Sequence, residues 1–274
     1  MDVDDDYEVI ERIDAFCDAV PRRRSVAEEH GPLVLFVPTG PGWPYYARPR
    51  RGSTVTVTAE DIRAVRARQR ELLIPESFEW IGEATPDMAA AAPRAGLAVR
   101  AHPLMVLGAI TPAPVAGPGI IVRLVSPDEP ELDRIWAVPA VAFGHPGTSG
   151  GLAGAVERDK IAAEHDGGTI AMLRDRLCSG QSVLAAAFDR DGPLAAGSCQ
   201  SMDGVAEITG VGVLPSARRQ GLGAAVTAAL ATDALCRGVQ TVFLSASDED
   251  VARIYARLGF RRIGTAMIAE PDHP

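Results

Sequence analysis

Two side chains of this sequence could transfer protons, and one turn between them could bind an anion. Glu207 is a carboxylate that can accept a proton, and Tyr255 is a phenol with an ordinary pKa of about 10 that can donate one. Between them, the turn 218–223 has glycines at 221 and 223, where a backbone can approach a ligand closely. If a helix begins there, its free N–H groups and its dipole favour an anion such as a pyrophosphate. A tight structural turn has the same sequence, so the neighbouring elements must decide.

Those neighbours predict a strand that leads into a helix. Residues 207–214 are rich in β-branched residues and predict a strand, which the following proline ends. Residues 224–237, rich in Ala and Leu, predict a helix that stops at Gly238. A second strand at 241–245 then leads to a helix that carries Tyr255. The turn therefore lies between the end of a strand and the start of a helix, where an anion site is physically reasonable.

The same segment carries a longer pattern of two valines, a proline, an arginine and two glycines, Val211-x-Val213-x-Pro215-x-x-Arg218-x-x-Gly221-x-Gly223. A tyrosine followed by Gly-Phe comes later, at Tyr255, Gly259 and Phe260. Together these residues resemble the acyl-CoA signature and the closing motif of the GNAT superfamily, the CoA-dependent N-acetyltransferases. The resemblance is specific for roughly residues 120–270.

The resemblance implies a fold, a co-substrate and a reaction. The fold class is α/β (α+β), with a mixed, mostly antiparallel twisted sheet flanked by helices. The implied co-substrate is acetyl-CoA without a metal, and the implied acceptor is a small-molecule or peptide amine. No cysteine lies in the signature, so we expect direct acyl transfer in a ternary complex and not a covalent acyl-enzyme.

The resemblance also assigns roles to single residues. Tyr255 stands where the family has its general acid, and Glu207 stands where relatives that acetylate protein lysines have their general base. The backbone of 211–213 would pair with the pantetheine arm, and Gly210 and Gly212 would leave room on one strand face. The residues expected to contact the cofactor are Val211, Gly212, Val213, Arg218, Arg219, Gln220, Gly221, Leu222, Gly223, Ala224 and Asp248.

Each of these roles has a structural alternative. Tyr255 lies on the apolar face of its predicted helix and equally fits a core residue. Glu207 also fits an exposed glutamate at a strand start, and Arg218 and Arg219 fit a solvated turn. Asp248 departs from the family, in which many relatives have asparagine there; it fits an N-cap residue, and its charge is unfavourable beside CoA phosphates.

The N-terminal part repeats the element order of the C-terminal end, strand–helix–strand–helix–strand. We predict its strands at 33–37, 54–58, 78–81 and 98–107 and its helices at 59–73 and 86–95. Thr58 and Asp61 have the spacing of a capping box at the start of the first helix. The segment 94–97 aligns with 257–260 without a gap, so we infer a distant, degenerate GNAT-like copy. The counterpart of Tyr255 is Ala92, and no Gly-x-Gly precedes the first long helix, so this copy should bind no CoA. Coincidental αβ periodicity is the alternative.

Prolines and glycines between residues 108 and 119 predict a linker. The expected domains are therefore a degenerate N-terminal domain at 1–110, a linker at 111–119 and a GNAT domain at 120–274. Within the last we predict a strand at 120–125, a helix from about 130 that Pro139 kinks or ends, a Gly-rich loop at 144–151, a helical stretch to 177, and strands at 182–188 and 194–201.

Composition restricts the partners and the compartment. The net charge of −9 argues against nucleic acid and mildly favours a cationic amine. The sequence has no apolar stretch long enough to span a membrane, and its acidic start is unlike a signal peptide. Four cysteines stand far apart without metal-type spacing, which indicates reduced thiols in the cytoplasm. The oligomeric state stays open, a homo-oligomer included.

Two functions follow as hypotheses. The first is an acyl-CoA-dependent N-acyltransferase, with acetyl-CoA as donor. The second is a non-catalytic acyl-CoA-binding or interaction protein in which the N-terminal part blocks the acceptor cleft. Tyr255 favours the enzyme, whereas Asp248 and the short segment after Gly259-Phe260 favour the second hypothesis.

Overall fold

The structure is a computed structural model that describes residues 3–40, 42, 44–112 and 116–272. Two compact units divide the chain. Unit 1 contains residues 1–105, 245–248 and 262–274, and unit 2 contains residues 106–244 and 249–261. The two units are not continuous in sequence, since residues 262–274 belong to the same unit as residues 1–105. The predicted domain limits at 110, 119 and 120 therefore remain a prediction. Residues 113–115 of the predicted linker lie outside the described residues.

The described residues of unit 1 form two groups of strands and three helices. In chain order its elements are α1 (Val3–Arg22), β1 (Ser25–His30), β2 (Leu33–Pro38), β3 (Arg48–Pro49), α2 (Ala59–Glu71), β4 (Phe78–Ile81), α3 (Met88–Arg94), β5 (Ala98–Leu107, mostly in this unit) and most of the last strand, β11 (Phe260–Glu270). The order β1-β2-β3 is antiparallel, and β11 lies between β4 and β5. The core of unit 1 includes Leu35, Val65, Phe78, Trp80 and Ala269.

The predicted strand at 54–58 is wrong. That segment is irregular and Val55 is exposed, although Val57 is buried. Side chains there compete for the backbone groups that a strand would pair. The Val55 N–H donates to the Ser53 hydroxyl at 3.2 Å, and Thr58 caps α2 in a reciprocal pair of hydrogen bonds with Asp61. The alternating Thr and Val residues therefore form an irregular segment that ends at the N-cap of α2. The capping box itself is confirmed.

Unit 2 contains the candidate site. Its elements are β6 (Ile121–Leu124), α4 (Leu132–Phe143), α5 (Ala155–Glu164), α6 (Gly167–Cys178), β7 (Ser182–Asp189), β8 (Gly192–Met202), β9 (Val205–Val213), a 3₁₀ turn (Pro215–Ala217), α7 (Leu222–Cys236), β10 (Thr241–Ser245) and α8 (Glu249–Ala256). The strand order is β10-β9-β8-β7-β6. Only the β9–β10 pair in this series is parallel. The predicted mixed, mostly antiparallel sheet flanked by helices is confirmed.

Pro139 does not end α4, so of the two predicted effects, a kink or an end, the second is wrong. The helix runs from 132 to 143, and Pro139 lies inside it. A proline there removes one helical hydrogen bond. At this point α4 packs closely against β9. A Cβ added to Gly212 of β9 would lie 2.8 Å from the Pro139 Cα and 2.9 Å from the Ala142 Cβ. Only a glycine on β9 lets this part of α4 pack so closely, so tertiary contact overrides the local preference.

The two segments of the inferred duplication share a backbone feature, a glycine with positive φ after a helix. Gly96 follows α3 with φ +79°, and Gly259 follows α8 with φ +98°. These are the two glycines that the segments 94–97 and 257–260 place at the same position. Ala92, the counterpart of Tyr255, is completely buried in the core of unit 1. That copy therefore has a methyl group where the C-terminal copy has a phenol.

Candidate acyl-CoA and acceptor site

The signature strand β9 contains a β-bulge at Gly210. Ser198 of β8 pairs with Thr209 and Ala196 pairs with Gly212, so Gly197 alone opposes two residues of β9. Gly210 has φ +63°, a conformation that glycine adopts without strain. Because side chains alternate along a strand, one extra residue exchanges the two faces beyond it.

The bulge decides which face each residue of β9 occupies. A Cβ added to Gly197 would meet Val211, together with Val226 and Leu230 of α7, so Val211 faces α7. Gly212 faces α4, as its contacts with Pro139 and Ala142 show. Glu207 pairs with Gln200 of β8, and Gln200 lies on the same face of β8 as Ala196, the partner of Gly212. Glu207 therefore lies on the α4 face. Without the extra residue, Glu207 would share the α7 face with Val211.

Strands β9 and β10 pair over a short length only. The parallel register joins Thr241–Phe243 to Val205–Glu207. Beyond Glu207, β9 continues for six residues to Val213, past the last described residue that is in register with β10. The edge of β9 next to the bulge is therefore the part of the strand where an extended ligand could pair with backbone groups.

The start of α7 has the backbone of an anion-binding turn. Arg219 has φ +67° and Gly221 has φ +75°, and Gly221 occupies the N-cap position. Within the described part of the chain, no side chain caps this end of the helix. The first N–H groups of α7 therefore need a partner from water or a ligand. Arg219 and Gln220 are exposed beside them, so positive charge and free donors lie together.

Gly212 and Gly223 allow close packing of helices. For Gly212 this corrects the expectation that Gly210 and Gly212 leave room on one face of the strand. The space beside Gly212 is filled by α4. A Cβ on Gly223 would lie 3.3 Å from the Val213 Cγ2, so Gly223 lets α7 pack against β9. Gly210 forms the bulge. Any ligand contact at these positions must therefore come from the backbone.

Arg218 lies in a cage of backbone carbonyls. Its Nη2 donates to the oxygens of Ala142 and His145 at 3.1 and 2.6 Å, and its Nη1 donates to Ser149 at 3.1 Å. Its Nε donates to Val213 at 3.4 Å. Partial burial lowers the pKa of Arg218 from its ordinary value. These partners could not be predicted from residue types, because every residue has a backbone carbonyl.

Tyr255 is almost fully buried, with 8% of its surface exposed. Its ring lies 6.0 Å from the Phe260 ring, tilted by 57°. Burial raises the pKa of Tyr255 to about 12, and a hydrogen bond with the Thr227 side chain acts in the opposite direction. The Thr227 hydroxyl also donates to the Gly223 carbonyl in the first turn of α7, at 2.8 Å. Tyr255 is thus protonated at neutral pH and adjoins α7; sequence analysis missed Thr227.

Glu207 and Asp248 differ in their surroundings. Glu207 is half-buried in the middle of β9, opposite Gln200 of β8. Asp248 is exposed and accepts a hydrogen bond from the Ser247 hydroxyl at 3.2 Å. The cofactor role of Asp248 stays a prediction. Across the described ranges, no group of three or more His, Cys, Asp or Glu side chains is placed to hold a metal ion. No helix of those ranges is long and apolar enough to cross a membrane.

Comparison with known proteins identifies the family of the C-terminal part of the chain. Residues 156–260 match the model of the Acetyltransferase (GNAT) family. Residues 156–260 therefore belong to a GNAT-family acetyltransferase domain, which supports acyl transfer as the general type of activity. Among curated proteins, no sequence matches this chain.

Solved structures share the fold over most of the chain. A GCN5-related N-acetyltransferase from Kribbella flavida is 22% identical, with a TM-score of 0.68 and 96% of each chain covered. A GCN5-related N-acetyltransferase from Sphaerobacter thermophilus is 20% identical, with a TM-score of 0.50 and 74% of this chain and 62% of that chain covered. A tandem GNAT protein from the clavulanic acid biosynthesis pathway is 15% identical, with a TM-score of 0.51 and 88% and 79% covered. The tandem relative is consistent with a GNAT-like N-terminal half.

Proposed function

We propose that this protein is an N-acetyltransferase that transfers the acetyl group of acetyl-CoA directly to an amine acceptor. The observation that carries the proposal is the bulge at Gly210. It puts Glu207 on the α4 face of β9, whereas Val211 and the start of α7 lie on the other side. Beyond Glu207, where β9 is no longer in register with β10, an amine on the α4 side can reach the carbonyl carbon of a thioester that lies along the edge of β9. That arrangement suits a ternary complex.

The residues at the start of α7 would hold the donor. The backbone N–H groups of 219–224 are suited to a pyrophosphate, and Arg219 adds an exposed positive charge. The edge of β9 at Val211–Val213 would pair with the amides of the pantetheine arm, and a backbone N–H near Val213 would polarise the thioester carbonyl. The side chains of Gln220, Leu222 and Ala224 are not required for this role.

The proton transfers balance with two side chains. The amine nitrogen attacks the thioester carbonyl carbon, and the bond between that carbon and sulfur breaks. Tyr255 gives its phenolic proton to the departing thiolate. Burial raises the pKa of Tyr255 to about 12, which keeps the phenol protonated at pH 7 but also makes it a weaker acid. Glu207, directly or through water, takes the proton that the amine loses. The acceptor class is a small-molecule or peptide amine, and the net charge of −9 favours a cationic one.

Calorimetric titration with CoA tests the binding part of this proposal. We expect one site per chain. Replacing Gly221 with valine should weaken CoA binding at least tenfold, which is about 1.4 kcal/mol, because a β-branched side chain resists φ +75° and blocks the backbone. Gly238→Val is the matched control. Gly238 has φ +82° at the other end of α7, with nothing within 4 Å of an added Cβ.

The control should reproduce the strain of a positive φ without changing CoA affinity. Two CoA molecules per chain would refute the single site. Equal affinities of Gly221→Val and the wild type would exclude the turn at the start of α7 as the CoA site.

A further inference from the structure

The Arg218 side chain is almost fully engaged within the protein. A guanidinium has five N–H groups, and four of them meet the carbonyl oxygens of Ala142, His145, Ser149 and Val213. A single N–H on Nη1 is left for any further acceptor. A phosphate that used Arg218 as a bidentate partner would have to displace these bonds. The neighbouring Arg219 is exposed and has no such conflict.

The acceptors of Arg218 belong to the end of α4 and the loop after it. The last turn of α4 contains no basic residue, although the carboxyl end of a helix carries partial negative charge. Arg218 brings a positive charge to this end through the oxygens of Ala142 and His145. It therefore stabilises the α4 terminus from another segment of the chain.

Backbone contacts join the same loop to the same turn. The Gly151 N–H donates to the Pro215 oxygen, and the Ser216 N–H donates to the Ala153 oxygen, both at 3.0 Å. A Cβ added to Gly154 would lie 2.5 Å from the Ser216 hydroxyl oxygen, so the two segments are in close contact. Residues 142–154 are thus held against residues 213–218 at both ends of the loop.

We propose that Arg218 is a positioning residue that fixes the loop 143–153 to the acyl-CoA turn, and that it is not a phosphate ligand. The inference rests on the proposed function only for what the turn binds. The loop follows α4, the helix that packs on the same face of β9 as Glu207. When acyl-CoA binds and orders the turn, the hydrogen bonds of the Arg218 guanidinium also restrict the motion of the loop 143–153. Lysine cannot replace it, because an ammonium has three donors at one point and cannot span four carbonyls.

Hydrogen–deuterium exchange of residues 143–153, measured with and without CoA, tests this proposal. In the wild type, CoA should slow exchange in this loop. In Arg218→Gln, exchange in the loop should rise on the order of tenfold without ligand, and CoA should no longer slow it. CoA affinity should stay within about twofold of the wild type. The matched control is Arg219→Gln, which should lower CoA affinity and leave loop exchange unchanged.

The opposite pattern overturns the proposal. If Arg218→Gln lowers CoA affinity as Arg219→Gln does, with loop exchange unchanged, Arg218 is a phosphate ligand. If Arg218→Gln does not fold, Arg218→Lys is used, for which partial loosening of the loop is expected and unchanged exchange counts against the idea. If the wild type binds no CoA, the proposed function fails separately, while the comparison of loop exchange without ligand still tests the positioning role.

Discussion

Replacing Tyr255 with phenylalanine lowers kcat by roughly 10²–10⁴-fold in our account, the usual range for loss of a general acid or base. Phenylalanine keeps the ring and its contact with Phe260, 6.0 Å between centroids, and removes only the hydroxyl. The leaving thiolate then has to take its proton from water. CoA affinity should barely change, because the apolar packing of the ring is retained. Loss of the buried hydrogen bond with Thr227 should lower the free energy of unfolding by about 0.5–1.5 kcal/mol. Steady-state release of free thiol from acetyl-CoA measures the effect.

A matched control separates the hydroxyl from the general effect of a Tyr→Phe change. Tyr7 is 64% exposed, and Tyr7→Phe should leave turnover at the wild-type value. Turnover of Tyr255→Phe at the wild-type value would mean that Tyr255 is a core residue only. The acid would then have to be another group, or water.

Replacing Gly259 with alanine is expected to give the largest loss of stability. Gly259 has φ +98°, and an added Cβ would overlap the carbonyl oxygen of Ala109 and lie 2.9 Å from its carbonyl carbon. The segment cannot easily move away, because the Gly108 N–H donates to Gly259 and the Thr111 N–H donates to Leu258, both at 3.0 Å. Left-handed backbone costs a non-glycine residue about 1–2 kcal/mol. Overlap adds ~1–3 kcal/mol.

Chemical denaturation of Gly259→Ala and Gly238→Ala distinguishes the two costs. Gly238 has φ +82° but open space around an added Cβ, so its alanine variant should show the backbone cost alone. The difference between the two free energies of unfolding is the cost of overlap with Ala109. Equal destabilisation by both variants would show that the close approach at Ala109 relaxes freely.

The sequence was informative wherever local chemistry determined the structure. The strand, turn and helix from 207 to 237, the capping box at Thr58, and the Gly-rich loop after α4 follow from β-propensity, caps and glycines. The fold class was predictable because the signature and the Tyr255–Gly-Phe motif are specific to one superfamily, and the fold is confirmed. The site residues themselves remain predictions.

Features that depend on contacts distant in sequence were not predictable. The bulge at Gly210 depends on the register with β8, and a strand pattern alone assigned Gly210 and Gly212 to the same open face. Helix α4 continues through Pro139, where it packs closely against Gly212, a residue distant in sequence. The environment of Arg218 consists of backbone oxygens, some of them about 70 residues away along the chain. No residue type marks such partners in advance.

Release of free thiol from acetyl-CoA in the presence of a broad panel of amines tests the central claim most directly. The panel should contain polyamines, aminoglycosides, amino acids, and peptides with free α-amino or lysine groups. Acetyl transfer from acetyl-CoA to an amine predicts thiol release that depends on at least one of these amines, with one acetyl group gained by that amine for each thiol released. Tight binding of CoA without amine-dependent thiol release across the whole panel would contradict it and favour a non-catalytic acyl-CoA-binding protein.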